Sequence, residues 1–89
     1  MNVAEFAAGY NKMPHLIGDF PTPKARVVRA VIAEFERTGA HCSPSGATAD
    51  IVAKWLLWSK QPMALYYHQG YGCWVVARTT DAAIEAASV

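Results

Sequence analysis

The stretch MALYYHQGYGCWVVAR, residues 63–78, decides the fold. Two runs rich in aromatic and β-branched residues flank a short segment with two glycines, a pattern typical of an antiparallel β-hairpin. If Gly70 and Tyr71 form a two-residue type II′ turn, the register follows directly from that turn. Tyr66 then pairs with Val75, and the residues on either side pair outward from the turn in the same register.

Both faces of this predicted hairpin are apolar. Side chains alternate along a strand, so each face is described by its residue numbers. One face holds residues 63, 65, 67, 74, 76 and 78, and the other holds residues 64, 66, 68, 73, 75 and 77. A two-stranded ribbon is not stable alone in water, so helices have to cover at least one face. We expect one face to be hidden inside the fold and the second either to lie on more of the chain or to meet a partner, and the interpretation as a binding surface rests on only one face being hidden.

Three predicted helices precede the hairpin and one follows it. Asn2 is placed to cap the first helix, and Pro14 ends it. Residues 15–21 are bordered by prolines and are expected to run as an extended connector. Thr79 can cap the last helix, whose only large apolar residue is Ile84, so we expect this helix to pack weakly on the rest of the domain.

The second and third helices carry the clearest periodicity. Thr22 is the predicted N-cap of the second helix, and Gly39 is its predicted stop. The third helix is predicted from about Thr48 to Lys60, and apolar residues surround most of its circumference. Within it, Asp50 and Lys54 have the spacing of a solvent-side i,i+4 ion pair.

These elements predict an α+β fold. We expect a single small domain over residues 1–89, with three helices followed by an antiparallel β-hairpin and a short C-terminal helix. At 89 residues and 53% hydrophobic content, the chain can build one modest core without disulfides or metals. A further short strand within residues 15–21 or 40–45 would widen the sheet.

Charge and cysteine usage limit the classes of function. Eight basic and seven acidic residues give a net charge of +1, which indicates neither a nucleic-acid-binding field nor an acidic mimic of nucleic acid. No apolar run is long enough for a transmembrane helix, and the N-terminus lacks the pattern of a signal peptide, so we expect a cytoplasmic protein. Cys42 and Cys73 are then expected to stay reduced, as small hydrophobic residues.

Catalytic and metal-binding patterns are weak. His68 and Cys73 face each other across the predicted hairpin, but no acidic residue nearby would orient the imidazole and no turn offers an oxyanion hole. Together with His41 and Cys42 they make four candidate zinc ligands, but the four residues lack CxxC or HxxxH spacing. We therefore expect no catalytic residue, no metal site, no cofactor and no enzyme activity.

The remaining interpretation is a protein-binding module. Aromatic residues are enriched at the centres of protein interfaces. The predicted partner-binding residues are Tyr66, Tyr71, Trp74 and Trp58. The partner is another protein, with the chain acting as an inhibitor or adaptor, or a second copy paired through the hairpin edge. Small bacterial and phage proteins that block host machinery, including anti-CRISPR proteins, have this size, although no motif supports that analogy.

Nucleic-acid binding is the alternative. A winged helix-turn-helix needs two short helices before the hairpin, yet residues 39–62 allow only one, and it carries the apolar sequence WLLW at 55–58. Single-strand binding would use the hairpin aromatics for stacking, but the basic track that usually accompanies them is missing. The candidate anion contacts are Lys24, Arg26, Arg29 and Arg78.

Overall fold

In a computed structural model, residues 2–18 and 20–88 are described, and they form four α-helices and one three-stranded antiparallel sheet. The elements are α1 (Val3–Gly9), a 3-10 turn (Tyr10–Lys12), α2 (Ala25–Thr38), β1 (Ala40–Ser43), α3 (Gly46–Trp58), β2 (Ala64–His68), β3 (Cys73–Ala77) and α4 (Thr80–Ala87). The predicted α+β class is confirmed, and β1 is the additional strand. Asp19, inside the predicted connector, lies outside the described residues.

The hairpin has the predicted register but a different turn. Tyr66 pairs with Val75, and the last pair joins His68 to Cys73. The loop has four residues, 69–72, and the Gly72 N–H donates to the His68 carbonyl at 2.8 Å. The positive φ of 65° falls on Gly72, so the predicted type II′ turn with Gly70 in its first central position is wrong. The register survives because the longer loop is centred on the same two residues.

The sheet has the order β1-β3-β2, and helices pack on both of its faces. The α3 face, with Leu65, Trp74 and Val76, packs against the core formed by α1, α2 and α3. The α4 face, with Tyr66, Val75 and Ala77 among its residues, packs against α4. The expectation that only one face is hidden inside the fold is therefore wrong.

Helix α4 packs on the sheet through small side chains. Ala83 and Ala87 are buried against the sheet, whereas Ile84 is 53% exposed. Small residues allow a helix to approach a sheet closely, so this contact does not need a large apolar residue. The prediction of weak packing was based on the lack of large apolar residues in this helix, and it did not take account of the contact made by the alanines.

Helix α3 is the centre of the domain. Residues 49–56 are all buried, which leaves this part of the helix without a solvent-facing side. The helix begins at Gly46, two residues earlier than predicted, because the Ser45 side chain caps it by accepting a hydrogen bond from the Thr48 N–H.

The other predicted helix boundaries hold at some ends and not at others, and α3 ends at Trp58, two residues before the predicted end at Lys60. Helix α2 ends at Gly39, which adopts a left-handed φ of 82° as predicted. It begins at Ala25 with Lys24 at the N-cap position, so the predicted cap at Thr22 is wrong. In the described part of the chain, no helix combines the length and apolar character needed to cross a membrane.

Candidate functional site

Two pairs of aromatic side chains lie at the turn end of the hairpin, and together they are here called the hairpin tip: Tyr67 with Trp74 on the α3 face, and Tyr71 with His68, whose strand position lies on the α4 face. Tyr71 is 60% exposed and Tyr67 is 46% exposed, whereas Trp74 is half-buried. The Tyr71 ring stacks on His68 with ring centroids 4.6 Å apart. Tyr67 meets Trp74 edge to face at 5.1 Å. Each exposed ring is therefore supported by a second ring beneath it.

The turn itself holds the exposed ring of Tyr71 in place. The Tyr71 N–H donates to His68 Nδ1 at 3.2 Å. The Cys73 thiol donates to the Tyr71 carbonyl oxygen at 3.4 Å. A Cβ on Gly70 would lie 3.1 Å from the His68 ring, so glycine leaves the space that the stacked pair occupies. The tip is thus pre-organised by its own backbone.

Trp74 is supported from the opposite side by the start of α3. A Cβ added to Gly46 would lie 2.8 Å from the Phe20 ring, 3.3 Å from Trp74 Nε1 and 3.4 Å from an Ile17 methyl group. These three side chains therefore meet over the bare backbone of Gly46. Ile17 and Phe20 belong to the connector between the first two helices, so the position of the connector affects how Trp74 is held.

A buried carboxylate anchors this connector to α3. Asp50 is fully buried, and its Oδ1 accepts hydrogen bonds from the N–H groups of Leu16 at 2.7 Å and Ile17 at 3.2 Å. The Tyr10 hydroxyl donates to Asp50 Oδ2 at 2.6 Å. Lys54 Nζ lies 3.3 Å from the same oxygen, and its side chain is only 2% exposed. The predicted solvent-side pair of Asp50 and Lys54 is therefore wrong, because the connector covers this side of α3.

Tyr10, His15, Asp50 and Lys54 form a polar cluster between the connector and α3, and the charge of Asp50 in it is paired with that of Lys54. Burial alone would raise the pKa of Asp50, but hydrogen bonds from Tyr10, His15 and Leu16 and the charge of Lys54 outweigh it and lower the pKa, so the carboxylate is ionised. Burial, together with the neighbouring carboxylate, raises the pKa of Tyr10.

Lys54 and His15 make the remaining contacts of the polar cluster. Lys54 Nζ donates to the Met13 carbonyl oxygen at 3.2 Å and lies 3.9 Å from the centroid of the Tyr10 ring. His15 Nδ1 is 3.0 Å from Asp50 Oδ2 and 3.2 Å from Lys54 Nζ. It either donates to the carboxylate or accepts from the ammonium, since one nitrogen cannot do both. Both arrangements attach the connector to α3.

The structure places two of the four predicted partner-binding residues, Tyr71 and Trp74, in the hairpin tip, where they belong to different ring pairs. Tyr66 is on the α4 face, half-buried, and its hydroxyl donates to the Ala83 carbonyl oxygen at 3.3 Å. Trp58 is half-buried at the far end of α3, stacked on Trp55 with ring centroids 5.9 Å apart. These two side chains serve internal packing.

Tyr67 and His68, which the structure places in the hairpin tip, are not among the residues predicted from the sequence to bind a partner. The register alone could have identified Tyr67, because it places that side chain opposite Trp74 on the same sheet face. The predicted pairing of His68 with Cys73 across the hairpin is confirmed. Within residues 2–18 and 20–88, no three His, Cys, Asp or Glu side chains converge to hold a metal ion.

The predicted anion contacts lie in two places. Lys24, Arg26 and Arg29 are exposed at the start of α2. Arg78 is at the other end of that helix, where its Nη2 donates to a Glu36 oxygen at 2.6 Å. Its Nε donates to Gln61 at 2.7 Å. The guanidinium charge of Arg78 is therefore already paired with a carboxylate of its own chain.

We predict that acidification from pH 7 to pH 5 weakens the fold through His41. Its Nε2 is buried and finds no hydrogen-bond partner among the residues that the structure describes, and burial lowers the pKa of the imidazole. The folded state then binds its proton less readily than the unfolded state, whose histidine titrates near pH ~6.5, so stability falls as the pH drops below that value. Urea denaturation at both pH values measures the loss. In His41→Val the loss should be smaller, and an unchanged loss would contradict the assignment.

The comparisons with known proteins assign no family to this geometry. No family model matches the chain, and neither a curated protein nor a solved structure matches it.

Proposed function

We propose that this chain is a small cytoplasmic protein-binding module that occupies the surface of another protein with its hairpin tip, as an inhibitor or adaptor. The observation that carries the proposal is the pair of exposed rings at the turn end of the hairpin, Tyr71 stacked on His68 and Tyr67 in contact with the half-buried Trp74. Tyrosine and tryptophan are the residues most enriched among those that dominate binding energy at protein interfaces. Three of them at one end of a hairpin make a surface suited to that role.

The rigidity of the tip favours tight binding. Association costs free energy for each flexible side chain that has to be immobilised. Tyr71 is already stacked on His68, and Tyr67 already contacts Trp74, so little freedom is lost when a partner covers them. The same rings would cost more to bind if they projected from a mobile loop.

The charge distribution favours a protein over a nucleic acid. No Asp, Glu, Lys or Arg lies between Lys60 and Arg78, so the hairpin strands and their loop contain none of these charged residues. Binding to nucleic acid relies on basic groups that neutralise phosphates, together with stacking platforms. The apolar helix α3 is buried on all sides over residues 49–56, which leaves no face of that segment for a DNA groove.

The test is affinity capture from the native cell or its host, using wild type and single alanine variants. Tyr71→Ala and Tyr67→Ala should each weaken retention of the captured partner, by about 30-fold or more in Kd for a residue that contributes ~2 kcal/mol. The matched control is Leu57→Ala, because Leu57 is 58% exposed and lies on α3 outside the tip. Circular dichroism of each variant verifies the fold.

Two outcomes would contradict the proposal. The first is a partner retained equally by wild type and both tyrosine variants. The second is salt-sensitive binding of single-stranded or duplex DNA in an electrophoretic shift assay at low salt, which would favour the nucleic-acid alternative.

A second copy of the chain is the other partner that the hairpin edge could accept. Strand β2 is an edge strand, and it has no charged residue, internal proline or bulge of the kind that normally protects such edges. Light scattering over a range of concentrations tests this form of the proposal. If the protein is monomeric at all concentrations, the homodimer is excluded, and the proposal that the chain binds a different protein is unaffected.

A further inference from the structure

The two cysteines, far apart in sequence, are brought to the same end of the α4 face. Cys42 on β1 pairs with Val75 on β3, and Cys73 lies two residues before Val75 on the same strand. Residues two apart on a strand point to the same face, so Cys42 and Cys73 are diagonal neighbours across adjacent strands. Sequence reasoning treated them as two separate small hydrophobic residues.

Both thiols are accessible from solvent. The cluster that α4 covers includes Val75, which pairs with Cys42, and Ala77, but neither cysteine. Cys42 is exposed and Cys73 is partly exposed. Partial burial and the neighbouring Cys73 thiol raise the pKa of Cys42, which is consistent with two thiols close enough to interact.

We propose that Cys42 and Cys73 form a proximal dithiol that closes reversibly into a disulfide linking β1 to β3 beside the hairpin tip. This inference does not depend on the proposed function. It assigns a modification site to the strand ends next to the hairpin tip.

The oxidant is a small disulfide such as oxidised glutathione. The thiolate of the more exposed Cys42 attacks one glutathione sulfur, forms a mixed disulfide and releases one glutathione thiolate. The Cys73 thiolate then attacks Cys42 Sγ, forms the protein disulfide and releases the second glutathione. Two thiol protons leave the protein, its two sulfurs are oxidised, and one oxidised glutathione becomes two reduced ones. Because thiolates are the attacking species, the rate should rise with pH.

The diagonal arrangement makes this bond a labile one. Diagonal partners have Cα atoms about 7–8 Å apart, slightly beyond the usual span of a disulfide, so the strands have to shift to close it. A strained and accessible disulfide is easily reduced, which is typical of a regulatory bond rather than a structural one. Closure also removes the thiol hydrogen that Cys73 donates to the Tyr71 carbonyl oxygen, so the turn loses one of its contacts.

The test treats the full chain with oxidised glutathione and follows it by mass spectrometry, thiol counting and non-reducing electrophoresis. Wild type should lose both free thiols and the mass of two hydrogen atoms, remain a single chain and retain no glutathione. Mild reductant should restore both thiols. Cys42→Ser and Cys73→Ser are matched controls, since neither leaves a second thiol to displace glutathione. Each should accumulate a mixed disulfide instead.

Three outcomes would overturn the inference. Wild type could keep glutathione on one or both cysteines, as the single variants do, which would show that the second thiol cannot reach the first. It could form disulfides only between chains. It could also keep both thiols free while the single variants react. None of these outcomes bears on whether Tyr67 and Tyr71 bind a protein, so the two proposals fail separately.

Discussion

Replacing Asp50 with alanine should lower the free energy of unfolding by about 3–5 kcal/mol, the usual cost of breaking a buried ion pair. The variant leaves the Lys54 ammonium buried without its carboxylate, and it removes the acceptor for the Tyr10 hydroxyl and for the N–H groups of Leu16 and Ile17. Small domains have total stabilities of roughly 5–15 kcal/mol, so this variant is close to unfolding. Urea denaturation at pH 7 is the measurement.

The control for this prediction is Glu34→Ala. Glu34 also pairs with a basic residue, Arg37, but both side chains are mostly exposed, so this variant should denature at nearly the wild-type urea concentration. Asp50→Asn keeps the shape of the side chain and removes its charge, so a loss similar to that of alanine would show that the charge matters. A loss in Asp50→Ala no larger than in Glu34→Ala would contradict the buried arrangement.

Replacing Phe6 with alanine should lower the free energy of unfolding by about 3–5 kcal/mol, because it leaves a cavity in the core. Phe6 is fully buried, and its ring centroid lies 5.4 Å from that of Trp55 and 5.5 Å from that of Trp58. It is the residue that fixes α1 to the end of α3. Leu57→Ala, which removes a large apolar side chain that is 58% exposed, should cost less than ~0.5 kcal/mol.

The Phe6 and Asp50 variants should also be coupled. Tyr10 contacts Phe6 edge to face with ring centroids 5.7 Å apart and donates its hydroxyl to Asp50. Loss of either neighbour loosens Tyr10, so the double variant should lose less stability than the two single variants added together. If the double variant does not fold, each single variant paired with Tyr10→Phe gives the same comparison. Full additivity would show that the core and the polar cluster act independently.

Local chemistry was enough to predict the hairpin register, the starts of α1 and α4 and the end of α2. The register of Tyr66 with Val75 follows from strand alternation and the position of the turn, and a loop two residues longer leaves it unchanged. Gly39 ends α2 because a left-handed residue after a helix favours glycine. Asn2 and Thr79 cap their helices through their own side chains, as predicted. Each of these signals lies within a few residues of the feature it predicts.

Contacts between distant segments could not be predicted in this way. The i,i+4 spacing of an Asp and a Lys is the same whether the pair faces water or the core. The pair of Asp50 and Lys54 is buried because the connector packs over it, and Leu16 of this connector is 34 residues from Asp50 in sequence. The second sheet face is likewise covered because the small residues of α4 fit closely against it. Residue type and spacing thus set the elements and the strand register, since these depend on neighbouring residues. Burial, the aromatic tip and the thiol pair depend on which segments come together when the chain packs.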